Sequence, residues 1–150
     1  MLESLIAWSK KKTTLGEIRG YSDEELRAIS QAGYFFLMQG KNEQARILFE
    51  GLIAVDPGND FYYRALGVLF QKTGDDEGAL KQFSFATQIN PGSPYAYVNR
   101  AEILISRGES NKAEPELRLA LERMGPKDEP LSKKAWALLR VASEASSSHI

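Results

Sequence analysis

Apolar residues recur at intervals of three and four along most of the chain, which is the spacing of one face of an amphipathic helix. The run from Ser22 to Glu25 is a capping box that opens the first such segment. The last segment carries Leu131, Ala135 and Leu138 on one stripe. The pattern predicts an all-α fold. Its predicted helices cover 23–39, 42–55, 60–73, 76–89, 94–107, 110–123 and 129–145.

The same set of small and apolar residues returns every 34 residues. Gly40, Gly74 and Gly108 share this step, and glycine suits a left-handed turn just past the end of a helix. Three further sets follow it: Ala45, Ala79 and Ala113; Gly33, Gly67 and Ala101; Phe49, Phe83 and Leu117. The small residues predict places where the two helices of a unit approach closely. Such a period indicates a solenoid of stacked helical hairpins.

A 34-residue unit of this kind resembles the tetratricopeptide repeat, which is a helix–turn–helix. The units are about 26–59, 60–93 and 94–126. The resemblance implies an α-solenoid of three tetratricopeptide repeats over residues 22–145, ending in a C-terminal capping helix that covers the last apolar face. Residues 1–21 are expected to form an N-terminal amphipathic helical segment and linker, and residues 146–150 a disordered tail.

The first residues of the chain form a short apolar segment. It contains Leu2, Leu5, Ile6 and Trp8, the first three on one helical face. A helix this short is marginal in water, so it needs a surface on which to pack. Two interpretations stay open: the segment folds back on its own repeats, or it forms a dimer contact. Membrane attachment is disfavoured, because four large apolar residues and one lysine triplet make a weak anchor.

The composition excludes several kinds of chemistry. The chain has no cysteine, which removes thiol nucleophiles, disulfides and thiolate metal sites. Its one histidine, His149, stands in a serine-rich tail. Neither a phosphate-binding glycine loop nor a dinucleotide-binding motif occurs. We therefore expect no catalytic residue, no cofactor and no metal, and hence a protein that is not an enzyme.

Charge and hydropathy narrow the possible partners. The net charge is −1 and the pI about 5.9, so the basic face of a nucleic-acid-binding protein is not expected. The longest run of large apolar residues is Tyr34–Met38, far below the roughly 20 residues that span a bilayer. No signal-peptide pattern opens the chain. We expect a soluble cytoplasmic protein without a nucleic-acid or membrane partner.

In tetratricopeptide arrays the first helix of each unit lines a concave surface. The resemblance implies the inward positions: Arg27, Ser30, Tyr34, Leu37 and Met38; Phe61, Arg64, Val68, Gln71 and Lys72; Tyr95, Val98, Glu102, Ile105 and Ser106. This lining is apolar for a surface that faces water, and exposed apolar patches usually mark binding surfaces. An extended peptide fits best, with Arg64, Gln71 and Asn99 holding its backbone carbonyls. The alternative is that some of these residues pack between helices, Phe61 above all.

We therefore predict a peptide-binding groove. Its residues are Tyr34, Leu37, Met38, Phe61, Arg64, Val68, Gln71, Tyr95, Val98, Asn99 and Ile105. Some co-chaperones of this superfamily clamp the C-terminal carboxylate of a chaperone tail with lysine, arginine and asparagine. The corresponding positions here are Ser30, Tyr34, Ala65, Tyr95 and Asn99, so the cationic clamp is absent and capture of a terminal carboxylate is disfavoured.

The whole arrangement resembles the class II chaperones of bacterial type III secretion systems, over about residues 10–145. The matching stretches are Thr14–Gly16, Phe61–Gly67, Arg100–Glu109 and Lys112–Leu117. The resemblance implies an ATP-independent chaperone that binds an extended segment of secreted translocator proteins and prevents their aggregation before export. It also implies a homodimer formed through the apolar N-terminal segment. A second interpretation is a scaffold or adaptor subunit of a bacterial secretion or envelope assembly.

Overall fold

The computed structural model describes residues 20–148, and this range contains seven α-helices and no β-strand. They are α1 (Asp23–Met38), α2 (Asn42–Val55), α3 (Asp60–Lys72), α4 (Asp76–Ile89), α5 (Tyr95–Ser106), α6 (Ser110–Arg123) and α7 (Glu129–Ser147). Every helix begins and ends within two residues of its predicted bounds, which confirms the all-α fold. The predicted dimer contact, Leu2, Leu5, Ile6 and Trp8, lies outside the described residues.

The C-terminal helix is longer than predicted. Ser146 and Ser147, which were expected to begin a disordered tail, belong to α7. The Ser147 hydroxyl donates a hydrogen bond to the Ser143 carbonyl at 2.9 Å, which satisfies a polar group inside the last turn. Serine has a weak helix propensity, so the serine-rich composition led to an early predicted end. None of the helices between residues 20 and 148 combines the length and apolar character that crossing a bilayer requires.

Three glycines end the first helix of each hairpin in the same way. Gly40, Gly74 and Gly108 have φ angles of 74°, 84° and 79°, which are left-handed. After each glycine, the next backbone N–H donates to a carbonyl in the last helical turn; Lys41 N–H donates to the Phe36 carbonyl at 2.9 Å. This is a Schellman cap, and it satisfies carbonyls that the helix leaves unpaired. The predicted role of these glycines is confirmed.

The first two hairpins close where an aromatic ring of the second helix meets a glycine of the first. A Cβ built on Gly33 would lie 3.0 Å from Phe49 Cε2, and one built on Gly67 would lie 2.7 Å from Phe83 Cδ1. Both phenylalanines are completely buried. The predicted close approach of the two helices is therefore confirmed in the first two units.

The helices stack so that the first helix of every hairpin lies on the inner side. Each helix packs on the next along the chain, and α1 also contacts α3, α3 contacts α5, and α5 contacts α7. No comparable contact joins α2 to α4 or α4 to α6 within residues 20–148. The odd-numbered helices are thus closer together than the even-numbered ones. They line the concave side of the array.

One ion pair inside the third hairpin is largely withdrawn from water. Arg100 Nη2 lies 3.0 Å from Glu116 Oε1, and Arg100 Nε and Glu116 Oε2 are buried without a hydrogen-bond partner. Burial raises the pKa of the Glu116 carboxyl above its ordinary value of 4.5, although the positive charge of Arg100 opposes this shift. The desolvation of the carboxylate outweighs its attraction to Arg100, as often occurs in buried pairs.

Replacing Glu116 with glutamine should change the pH dependence of stability. Because folding raises the pKa of Glu116, its contribution to stability is complete below the unfolded pKa and is lost as the pH rises through the folded pKa. The Glu116→Gln variant lacks this loss, so its free energy of unfolding should rise relative to the wild type from about pH 4 to about pH 7. Urea unfolding of both proteins at the two pH values measures the difference. A decrease in the free energy of unfolding of the variant relative to the wild type would show that the charge of Arg100 outweighs desolvation at Glu116.

The two glycine contacts should differ in their tolerance of a methyl group. Gly67→Ala forces the new Cβ into the buried ring of Phe83, at a cost of roughly 1–3 kcal/mol. This cost should exceed the ~1 kcal/mol that alanine gains over glycine within a helix. Gly33→Ala is the matched control. Its new Cβ would lie farther from the ring of Phe49, so the loss of stability should be smaller. Thermal or urea unfolding compares them, and a Gly67→Ala protein as stable as the wild type would contradict the tight contact.

Candidate functional site

Two adjoining clefts open on the concave side, and they share Tyr34 and Phe61. The first has a volume of about 410 Å³ and is lined by Arg27, Ser30, Gln31, Tyr34 and Phe61. The second has a volume of about 300 Å³ and is lined by Tyr34, Leu37, Met38, Phe61, Arg64, Ala65, Val68, Lys72 and Asn99. The second cleft joins side chains of all three units. We call the two clefts, together with the Tyr95 ring that packs on Arg64 of the second cleft, the groove.

Large apolar side chains of the concave side remain exposed. Tyr34 is 49% exposed, Met38 is 62% exposed and Tyr95 is 40% exposed. Phe61 is only partly buried, although it packs against the core and its ring lies 6.2 Å from that of Phe49. Phe61 therefore combines both roles that the sequence left open, since one part faces the groove and another joins the first two units.

Two of the predicted groove residues are buried, which corrects the prediction. Val98 is 0% exposed and belongs to the core cluster that α5 and α6 form with α7. Leu37 is only 2% exposed, so it forms the floor of the second cleft and offers little contact area. Val98 lines neither cleft, because residues of α6 and α7 pack around it.

Only some of the remaining predicted residues line the clefts. Val68 and Asn99 line the second cleft. Gln71 is partly buried and does not line it. Ile105 lies instead in a separate cavity of about 460 Å³ between the third hairpin and the end of α7, beside Val141. Most predicted groove residues of units one and two thus line the clefts, whereas most of those of unit three do not.

Arg64 is held at the centre of the groove by three neighbours. Its guanidinium carbon lies 5.4 Å from the centre of the Phe61 ring and 4.9 Å from that of Tyr95. Its Nε donates to Asp60 Oδ2 at 3.0 Å. Since Tyr95 belongs to the next unit, this cation–π contact fixes the position of Arg64 between the second and third units. Sequence reasoning selected Arg64 but missed Asp60, one helical turn earlier.

Tyr95 is fixed at its other end. Its hydroxyl donates to Asp128 Oδ1 at 3.2 Å, and Asp128 Oδ2 accepts a hydrogen bond from the Gly125 backbone N–H at 3.2 Å. The loop before α7 therefore holds the tyrosine ring in place. Tyr95 and Asp128 are 33 residues apart, one fewer than the repeat period, and sequence reasoning missed this contact.

Within residues 20–148 no cluster of three or more histidine, cysteine, aspartate or glutamate side chains could hold a metal ion. The pKa shifts resolved in this range belong to Arg46, Tyr62, Arg107, Glu109 and Glu116, none of which lines either cleft. The groove offers contact area, cations and amides.

Comparison with known proteins agrees with this architecture. No protein-family model matches the chain. The chain is 27% identical over 128 residues to the low calcium response locus protein H of Yersinia pestis, an alignment that covers 85% of the chain and 74% of that protein.

Solved structures give a similar result. SycD, a type III secretion translocator chaperone of Yersinia enterocolitica, superposes with a TM-score of 0.79 at 25% identity, over 85% of this chain and 97% of SycD. PcrH in complex with the chaperone-binding region of PopD gives a TM-score of 0.78 at 25% identity, over 85% and 97% of the two chains. These similarities define the chain as a tetratricopeptide-type helical solenoid. They also confirm its resemblance to the translocator chaperones of type III secretion systems.

Proposed function

We propose that this protein is an ATP-independent chaperone that binds an extended segment of type III secretion translocator proteins in the groove and keeps them soluble before export. The observation that carries the proposal is the exposure of Tyr34, Met38 and Tyr95 on the concave side. The resemblance to SycD supports it, as does PcrH, which was solved with a translocator segment bound. We propose a non-catalytic role in the cytoplasm, without cofactor or metal.

The groove suits an extended segment because its apolar surface is divided. Tyr34 and Phe61 separate two clefts, so side chains of one strand-like peptide can enter each cleft in turn. Burying apolar surface contributes about 25 cal/mol per Å², from which the cost of ordering the peptide must be subtracted. Rigid tyrosines offer large contact area at a small loss of side-chain freedom, and Met38 adapts its shape to different side chains.

Polar groups at the edge of the clefts complete the proposed site. Asn99 lines the second cleft, and Arg64 stands between the aromatic rings. Both can donate hydrogen bonds to carbonyls of a bound backbone. Among the predicted groove residues, we retain Tyr34, Met38, Phe61, Arg64, Val68, Tyr95 and Asn99 as direct contacts, with Leu37 as the floor.

Loss of the two tyrosines should release the client. Tyr34→Ala with Tyr95→Ala removes two exposed rings from the groove, and interface truncations of this kind cost about 2 kcal/mol or more when the residue is an anchor. We expect soluble co-purification with a translocator encoded beside this protein, or with the chaperone-binding region of PopD, to be lost. Phe35→Ala with Trp136→Ala is the matched control, because both rings are exposed and neither lines a cleft or packs on Arg64.

Circular dichroism and thermal unfolding establish that both double variants are folded. A complex that survives the loss of Tyr34 and Tyr95 would contradict the groove model. Equal loss in the control variant would indicate that exposed aromatic residues in general, and not the groove, hold the client.

We further propose that Leu2, Leu5, Ile6 and Trp8 form a homodimer contact. Their apolar face supports this proposal, and the other interpretation is packing on the protein's own repeats. Removing residues 1–20 should halve the mass measured by light scattering. Because the chain has no cysteine, Trp8→Cys introduces a single thiol, and oxidation should yield a covalent dimer. An unchanged mass without a covalent dimer would favour packing on the repeats.

A further inference from the structure

We infer that the segment held in the groove carries acidic side chains next to its apolar ones. This inference rests on the proposed function and narrows it, because it names the charge that the groove prefers. Arg27 lines the first cleft, and Arg64 and Lys72 line the second. No aspartate or glutamate lines either cleft among the described residues. The residues that line the two clefts therefore carry a net positive charge.

Two of the three cations are available to a ligand. Arg64 is paired with Asp60, so its charge is already balanced. Arg27 and Lys72 are exposed, and neither forms an ion pair within residues 20–148. Each stands beside exposed apolar surface: Arg27 beside Tyr34 in the first cleft, Lys72 beside Met38 in the second.

The neighbouring carboxylates do not cancel this field. Glu102, at an inward position of the third unit, pairs with Lys134 at 2.9 Å. Asp23 and Asp56 line a depression that adjoins the first cleft and shares Arg27, Ser30 and Phe61 with it. Asp23 lies one helical turn before Arg27 and weakens its charge, which makes Lys72 the stronger of the two positions. A carboxylate close to Lys72 would meet a cation without a competing acid in the cleft lining.

The preferred acid is a side chain within the segment. Lysine and asparagine residues that clamp a terminal carboxylate are replaced here by Ser30, Tyr34 and Ala65, whereas the available cations flank the apolar clefts. A segment that alternates apolar residues with aspartate or glutamate therefore matches the surface. Exposed charges of this kind contribute modestly to affinity, but they select among partners and accelerate association.

A random twelve-residue peptide library displayed on phage tests the inference. Peptides are selected on the wild-type protein, and groove binders are those that no longer bind the Tyr34→Ala, Tyr95→Ala variant. We expect aspartate and glutamate to be enriched over lysine and arginine in this set. The selection is repeated on Arg27→Glu with Lys72→Glu, where the preference should reverse. The matched control is Lys81→Glu with Arg140→Glu, which makes the same charge change at exposed residues outside the clefts.

The strongest acidic peptide should bind the Arg27→Glu, Lys72→Glu variant on the order of tenfold more weakly than wild type, and the control variant equally well. Groove binders without a charge preference would overturn this inference and leave the proposed function standing. A preference for acidic peptides that survives in the Arg27→Glu, Lys72→Glu variant would also overturn this inference. So would a preference that is lost to the same extent in the control variant. If no peptide depended on Tyr34 and Tyr95, the proposed function itself would fail.

Discussion

The contact between a buried aromatic ring and the backbone of a helical glycine determines the geometry of this protein. Phe49 lies on Gly33 and Phe83 on Gly67, so the two helices of the first and second hairpins approach closely, and most closely at Gly67, where a Cβ would overlap the ring. Because the rings are completely buried, they cannot move aside cheaply. Fixed hairpins then stack with their first helices inward, and the concave groove is a consequence of that stacking.

The fold was predictable because its information is local and repeated. The step of 34 residues, the capping box and the three cap glycines each specify a helix or its end within a short stretch of sequence. The same period also contained contacts that the sequence analysis did not use. Tyr63 and Tyr97 are 34 residues apart, and their hydroxyls donate to the Pro57 and Pro91 carbonyls, each at 3.2 Å. These bonds attach α3 and α5 to the loops before them.

The groove was less predictable, because the exposure of a side chain depends on elements distant in sequence. Position within a repeat selected Tyr34, Met38 and Arg64, which line the clefts. It failed for Val98, since the cluster that includes Ala135 and Leu139 of α7 covers that residue. A position near the end of an array packs against a capping helix instead of a full unit. The cation–π contact of Arg64 with Tyr95 likewise depends on the rotation of one unit against the next.

The exposed residues of the groove differ in how firmly they are held, and this difference bears on what the groove can recognise. Tyr95 is fixed by Asp128 at its hydroxyl and by Arg64 at its ring. A residue fixed before binding loses little entropy on binding, so it can discriminate between shapes. Met38 is 62% exposed at the end of α1, and its unbranched thioether adapts to whatever it covers. A groove that combines one fixed aromatic residue with one adaptable wall can require a defined residue near Tyr95 while accepting variation near Met38. Peptides that share one residue near Tyr95 and differ elsewhere can therefore fit the same groove.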